Sequence, residues 1–289
     1  MSKPPSVSTK CILLDFSNRT ELTYLADLVR AFGGVSGDMP YFLAGATARD
    51  LLLEYAHDIN PGRNTRDLDL ALMVTDWAAF EQLRRSLIES GLFMPIGDSL
   101  QKLMFNSIYE LDLIPFGAIE QADRTIAWPP DGDVVMNVFG FREVYDHTLL
   151  VQLPGEETIR VVSLASLVIL KLIAWTERRW HRPGTDAHDI AVILRHYLDA
   201  GNLQRLYTEA PHLLDAADFD YEEAGAWLLG HDMARLLPES AHPRLQDLLN
   251  RESDANGPVN LVGDLPIDAD RGLKLLQNLA QGFLEIQNP

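Results

Sequence analysis

The sequence is poor in cysteine, in positive charge and in long apolar runs. Its 289 residues include one cysteine, Cys11, which excludes an intramolecular disulfide and a cysteine-rich zinc site. The longest apolar run, LASLVILKLIAW, contains Lys171 and is too short to span a bilayer. The first twenty residues have no long apolar segment beside their lysines, unlike a secretory signal. These shortages predict a cytoplasmic protein with no membrane partner.

Positive charge is the second shortage. Lysine and arginine together number 24 against 42 aspartates and glutamates, and the formal net charge is −18. Broad, non-specific binding to nucleic acid depends on phosphate neutralisation by basic residues, so the charge argues against this class of function but does not exclude a local basic patch. The excess of carboxylates is compatible with sites for divalent cations. With 47% hydrophobic residues, we expect a folded core rather than disorder.

The pattern along the chain changes near residue 160. Before it, strands are predicted at 39–45, 66–74, 102–107, 108–117, 142–153 and 158–163, with helices between them and a loop at 123–133. Thr75 is the predicted N-cap of the helix at 76–91. From Ser163 onward the pattern is helical. The sequence therefore predicts an α+β domain over 1–160, followed by an all-helical domain over 161–289.

The stretch NTRDLDLALMV, residues 64–74, places two aspartates in a predicted strand. Because side chains alternate along a strand, Asp67 and Asp69 face one way while Leu68 and Leu70 face the other. Two neighbouring carboxylates repel unless a cation lies between them, and hard oxygen ligands suit Mg²⁺ or Mn²⁺. The alternative is a solvated sheet face on which both aspartates have no function.

Two further elements favour a metal site. Gly45 and Thr47 follow a strand and open a helix, where free backbone N–H groups bind phosphate. Asp112 lies in another predicted strand and would supply the third carboxylate of a two-metal site. The alternative for Asp112 alone is a charge on an edge strand. The three elements in this order are typical of an enzyme that uses nucleoside triphosphates.

These motifs resemble the polymerase-β-like nucleotidyltransferase superfamily, whose fold is a mixed sheet with helices. Within it, the form R-x-T-x-D-L-D-L resembles the AbiEii/MenT-like toxins of type IV toxin–antitoxin systems. The resemblance implies an NTP substrate, a tRNA or protein acceptor, a cognate antitoxin and a Mg²⁺ or Mn²⁺ cofactor. It implies the metal ligands Asp67, Asp69 and Asp112. It also implies a nucleotide-binding set of Gly45, Ala46, Thr47, Arg49, Arg63 and Thr65, although Gly or Ser is usual at the position of Ala46.

A second resemblance involves the same N-terminal motifs. The segment LAGATARDLLLEYA followed by RDLDLALMV is similar to the head of tRNA CCA-adding enzymes, and Arg49 and Asp50 match that pattern. After residue 75, no segment matches the later nucleotide-selecting helix of those enzymes.

Lys171 interrupts an apolar helix face that includes Leu167 and Ala174. Its amine must either snorkel to solvent or meet an anion. SLASLVILK resembles a family helix whose lysine faces the active site, which implies that Lys171 is catalytic and binds the triphosphate. The following helix resembles the family's KDxxDI segment, with Thr185 in place of the lysine, and implies a functional Asp189.

Two charged features each have two interpretations. Asp186 is either functional, like Asp189, or a charge near a helix start that is favourable against the helix dipole. The cluster ERRWHR, residues 177–182, could meet nucleotide phosphates or an RNA end, or be a solvated helix end.

The sequence thus predicts a metal-dependent nucleotidyltransferase that transfers NMP from an NTP to tRNA or protein, of toxin or abortive-infection type. The alternatives are a transferase for small molecules such as antibiotics, a CCA-adding-like enzyme, and a non-catalytic nucleotide-binding or partner-binding module.

Overall fold

A computed structural model describes residues 13–63, 67–182, 184–215 and 218–285. Its centre is a mixed eight-stranded sheet, with a separate two-stranded hairpin of β7 and β8. The ten strands are β1 Leu13–Asp15, β2 Tyr41–Ala44, β3 Asp67–Val74, β4 Phe93–Pro95, β5 Lys102–Phe105, β6 Tyr109–Gly117, β7 Thr125–Ala127, β8 Val135–Asn137, β9 Leu149–Gln152 and β10 Thr158–Val161.

The strand order of the large sheet is β1-β9-β10-β2-β3-β6-β5-β4. The pairs β1–β9, β10–β2 and β3–β6 are parallel, and the other four pairs are antiparallel. The two longest strands, β3 and β6, are neighbours in the centre, and Leu68, Leu70 and Leu111 on them are buried. This is the α+β arrangement expected from the sequence.

Helices flank the sheet and form the rest of the chain. They are α1 Thr23–Ser36, α2 Gly45–Asp50, α3 Trp77–Glu89, α4 Phe141–Tyr145, α5 Leu164–Arg178, α6 Thr185–His196, α7 Leu203–Glu209, α8 Pro211–Leu214, α9 Tyr221–Leu236, α10 His242–Ser253, α11 Asn260–Asp264 and α12 Ala269–Glu285. Short π-helical segments follow α2 at Leu51–Tyr55 and precede α7 at Leu198–Asn202.

Helix α5 lies between the two halves of the chain. The Ser163 hydroxyl caps its N-terminus by accepting a hydrogen bond from the Ser166 N–H at 3.2 Å. Most of its residues are buried, and one hydrophobic core includes residues of both halves. The last strand of the large sheet ends at Val161 and α5 begins at Leu164; the division into domains at residue 160 stays a prediction.

Three local predictions differ from the structure, and the short strands β1, β4 and β8 were not predicted. Asp76, not Thr75, caps α3, because its carboxylate accepts from the Ala79 N–H at 2.8 Å. The strand predicted over 142–153 is helix α4 followed by β9; Phe141 and Val144, three residues apart and both buried, have helical spacing. The loop predicted over 123–133 contains β7.

In the part of the chain that the structure describes, no helix combines the length and the apolar character needed to cross a membrane.

Candidate active site

The central strands bring two of the predicted carboxylates side by side. Strands β3 and β6 pair in parallel, with Asp69 opposite Asp112 and Asp67 opposite Glu110. Because the side chains of directly paired residues lie on the same face, Asp69 and Asp112 share one surface of the sheet. Asp67 lies at the start of β3 and is exposed.

Gly45 is packed against this pair. It has φ +67°, and a Cβ built on it would overlap the carboxylate of Asp69. Only glycine allows both this backbone conformation and this close approach. The next residues, Ala46 and Thr47, are buried, and the Thr47 hydroxyl donates to the carbonyl oxygen of Asp67 at 2.9 Å. The first turn of α2 is therefore hydrogen-bonded to the backbone of β3.

The two carboxylates are electrostatically strained. Burial raises the pKa of Asp69; nearby Lys171 and Arg178 act in the opposite direction, and Asp67 adds to the rise. Burial, reinforced by the charge of Asp69, raises the pKa of Asp112 to about 6. In both cases the cost of burying the ionised carboxylate outweighs the nearby cations.

A lysine that the sequence analysis did not single out faces Asp112. Lys102 on β5 lies opposite Asp112 in register, and its Nζ is 3.1 Å from Asp112 Oδ1. The same amine forms an ion pair with Glu110. The only indication of this contact in the sequence was that Lys102 lies in a predicted strand. Which strand it would pair with depended on the strand order of the sheet, which the sequence did not specify.

Lys171 meets anions rather than bulk solvent. Its side chain is 8% exposed, and Nζ lies 2.7 Å from Asp189 Oδ2 and 3.2 Å from Asp186 Oδ1. Arg178 forms two hydrogen bonds of 2.6 Å with Asp186. Burial alone would raise the pKa of both aspartates, but these cations, with Arg49 at Asp189, lower it below the usual value.

The other predicted residues have different surroundings. Arg49 is fully buried, and its guanidinium binds Asp189 and Asp50. Arg63 also reaches Asp189, with Nε 3.3 Å from Oδ1. The structure therefore places these arginines around Asp189, whereas Thr65 lies outside the described residues.

A cavity of about 190 Å³ joins the sheet to α5. Gly45 and Asp69 form part of its lining, together with Lys171 and Arg178. The remaining lining residues are mostly apolar, and include two polar side chains. Sequence reasoning missed Asn137 and named Glu177 only as the first residue of the cluster 177–182. The residues that line this cavity are Ala44, Gly45, Asp69, Ile114, Met136, Asn137, Phe141, Leu167, Leu170, Lys171, Ile173, Ala174, Glu177 and Arg178.

A second cluster of possible metal ligands lies in the helical half. Within the described residues, it is the one group of three whose ligand atoms all lie within 4.8 Å of one another: Glu209, His231 and Asp232. Arg205 already binds both of its carboxylates, at 2.8 Å to Glu209 and 2.5 Å to Asp232. This cluster is therefore an ion-pair network around an arginine.

Comparison with known proteins identifies the family. Residues 27–255 match the model described as the nucleotidyl transferase AbiEii toxin of type IV toxin–antitoxin systems. The chain belongs to the AbiEii family. It is a nucleotidyltransferase, as the motifs of β2 to β6 predicted. No curated protein matches it significantly.

Solved structures with low similarity to this AbiEii protein include other nucleotidyltransferases. The antibiotic-resistance factor ANT(2'')-Ia is 13% identical, with 67% of this chain and 96% of that chain covered and a TM-score of 0.34. A putative nucleotidyltransferase from Helicobacter pylori is 15% identical, with coverages of 93% and 97% and a TM-score of 0.33. The CCA-adding enzyme of Thermotoga maritima in complex with tRNA is 12% identical, with coverages of 92% and 82% and a TM-score of 0.23. The family assignment rests on the sequence match.

Proposed function

We propose that this AbiEii protein transfers a nucleoside monophosphate from an NTP to an acceptor hydroxyl, with a divalent metal ion as cofactor. The observation that carries the proposal is the register of β3 and β6, which places Asp69 beside Asp112. Asp69 of this pair also lines a cavity together with Lys171. Paired carboxylates with a cation nearby are what a magnesium–triphosphate complex requires.

The residues present fit a hard divalent cation. Asp67, Asp69 and Asp112 offer carboxylate oxygens, the donors that Mg²⁺ and Mn²⁺ prefer. Asp112 Oδ1 is buried and accepts no hydrogen bond of good geometry among the described residues. A cation between the two groups would also offset the charge of Asp69, which contributes to the raised pKa of Asp112. When bound, the metal would supply charge neutralisation for the triphosphate and activate the acceptor.

The side chains have separate roles in the reaction. The acceptor oxygen forms a bond to the α-phosphorus, the bond from that phosphorus to the α–β bridging oxygen breaks, and pyrophosphate leaves. Asp112 accepts the proton of the acceptor hydroxyl. Lys171, held by Asp189 and Asp186, stabilises the negative charge of the leaving pyrophosphate. Gly45, with Ala46 and Thr47 behind it, forms the turn against which the β- and γ-phosphates lie.

Arg49 and Arg63 act through Asp189. Arg49 is too deeply buried to touch the triphosphate, so its role is to hold the carboxylate that in turn holds Lys171. Arg63 is partly exposed and contacts the same carboxylate, Asp189.

The preferred acceptor is an RNA end such as that of tRNA, with a protein hydroxyl as the other candidate. The family also supports a cognate antitoxin that binds this chain.

The test is label transfer from radiolabelled NTPs to tRNA and to total cellular protein, in the presence of Mg²⁺ or Mn²⁺. Asp69→Asn should lower the transfer rate by about two orders of magnitude or more while the protein stays folded. Asp38→Asn changes an exposed aspartate after α1 and serves as the matched control. Equal transfer by wild type and Asp69→Asn would remove the site from the mechanism.

A further inference from the structure

The cavity beside Asp69 contains two polar side chains that the proposed transfer step does not use. Asn137 ends β8, and Glu177 lies in the last turn of α5. Glu177 Oε2 accepts a hydrogen bond from the Asn137 backbone N–H at 3.3 Å. The two side chains are therefore neighbours in the wall that includes Met136 and Phe141.

The orientation of the Asn137 amide follows from its neighbour. Its Oδ1 accepts from the Phe139 backbone N–H at 2.9 Å, and because that partner can only donate, the oxygen is assigned unambiguously. The amide NH₂ group has no protein acceptor among the described residues. Asn137, which lines the cavity, therefore has a hydrogen-bond donor that is not used within the described protein.

Glu177 presents the complementary acceptor. Within the described chain it has no ion-pair partner, whereas Arg178 next to it is paired with Asp186. An unpaired carboxylate repels the phosphates of an NTP. Glu177 is exposed at the edge of the cavity, and only its Oε2 accepts a hydrogen bond from the described residues, so the carboxylate suits a part of the ligand that donates hydrogen bonds.

We infer that Asn137 and Glu177 read the edge of the nucleobase and select a base with an exocyclic amino group. The amino group of such a base donates to the Glu177 carboxylate, and the adjacent ring nitrogen or carbonyl oxygen accepts from the Asn137 NH₂ group. Uracil has no exocyclic amino group and is disfavoured. The apolar side chains of Met136, Phe141 and Leu170 in the same cavity contact the face of the base. This inference rests on the proposed function.

The experiment measures binding of the α,β-methylene analogues of ATP, CTP, GTP and UTP, with Mg²⁺, by calorimetry. Wild type should bind at least one amino-bearing analogue about tenfold more tightly than the uridine analogue, which is the low end of one good bidentate contact. Glu177→Leu removes both acceptor oxygens at similar side-chain size and should abolish this preference. Asn137→Asp keeps the acceptor for the Phe139 N–H, removes the donor, and should also abolish it.

Glu89→Leu, at the exposed end of α3, is the matched control and should leave the ratio unchanged. A Glu177 side chain that touches no base would only repel the triphosphate. In that case Glu177→Leu would tighten binding of all four analogues by the same factor, and the inference would be overturned. A loss of discrimination between ribose and deoxyribose analogues, with base preference intact, would overturn it in favour of a sugar contact.

Two failures are distinguishable. If wild type binds all four analogues equally, the base assignment fails and the proposed nucleotide site stands. If wild type binds none of them in the presence of Mg²⁺, the proposed function fails and the inference falls with it.

Discussion

Lys171 is the residue at which stability and proposed catalysis are most closely linked. Because its amine lies between Asp186 and Asp189, Lys171→Met removes a cation from two buried carboxylates. We expect a loss of about 2 kcal/mol in the free energy of unfolding, less than for an isolated buried pair because Arg178 and Arg49 remain. Denaturant unfolding at neutral pH measures this loss.

The transfer rate should fall in the same variant by about two orders of magnitude or more, since one preorganised charge at the leaving group is lost. Lys274→Met, on the exposed face of α12, should change neither quantity. A variant that loses stability but keeps full activity would leave Lys171 a purely structural residue.

Asp50 should make stability depend on pH. Burial raises its pKa to about 6, although Arg49 opposes the shift. Since the folded-state pKa lies above the unfolded value of about 3.9, the folded protein binds the proton more tightly, and stability from this group rises as pH falls through 6. Between pH 7.5 and pH 5 the gain is about 1.4 kcal/mol.

Asp50→Asn keeps an oxygen acceptor for Arg49 and removes the titration. The difference in free energy of unfolding between wild type and this variant should therefore change by that amount across the same pH range. A difference independent of pH would contradict the raised pKa.

Residue types and spacing predicted the carboxylates but not their partners. A two-residue period puts Asp67 and Asp69 on one face, and a second strand supplies Asp112. Arg49, by contrast, binds Asp189, which is 140 positions away. Nothing in local sequence specifies such a pair, because it depends on how α6 packs against α2.

At the scale of elements, the contact between α9 and α12 depends on two glycines. A Cβ on Gly282 would overlap the Trp227 carbonyl, and one on Gly230 would overlap the Leu279 carbonyl. Backbone cannot move aside as a flexible side chain does, so Gly282→Ala should force the helices apart. We expect destabilisation by about 1–3 kcal/mol, despite the better helix propensity of alanine.

Gly34 in α1 provides the matched control. A Cβ there meets no atom within 4 Å, so Gly34→Ala should stabilise by about 0.5–1 kcal/mol through propensity alone. Thermal unfolding of the two variants should move in opposite directions, and a stabilising Gly282→Ala would contradict the close packing.

Element length decided which elements could be predicted. Strands β3 and β6 have eight and nine residues, long enough to show alternation. Strands β1, β4, β7 and β8 have three residues each, and no period is visible over three positions. The prediction therefore missed β8, and with it Asn137 at the cavity.

At the scale of the whole molecule, the cavity is built from both halves of the chain. Asp69 and Ile114 belong to the sheet, whereas Lys171 and Glu177 belong to α5. A net charge of −18 repels a polyanionic acceptor at long range. Cations and neutral donors at the cavity must therefore supply the local attraction for a triphosphate.

Because both halves contribute to this cavity, an NTP bound with Mg²⁺ should stabilise the whole chain. A ligand that binds only the folded state at 100 times its Kd adds about 2.7 kcal/mol, and thermal unfolding in one cooperative transition should show the shift. Asp69→Asn should lose it, while the control Asp38→Asn keeps it. Mg²⁺ alone should give a smaller shift than Mg²⁺ with NTP. The metal alone neutralises the carboxylates, but it does not provide the contacts between Lys171 and the triphosphate. An equal shift in wild type and Asp69→Asn would place the nucleotide elsewhere on the molecule.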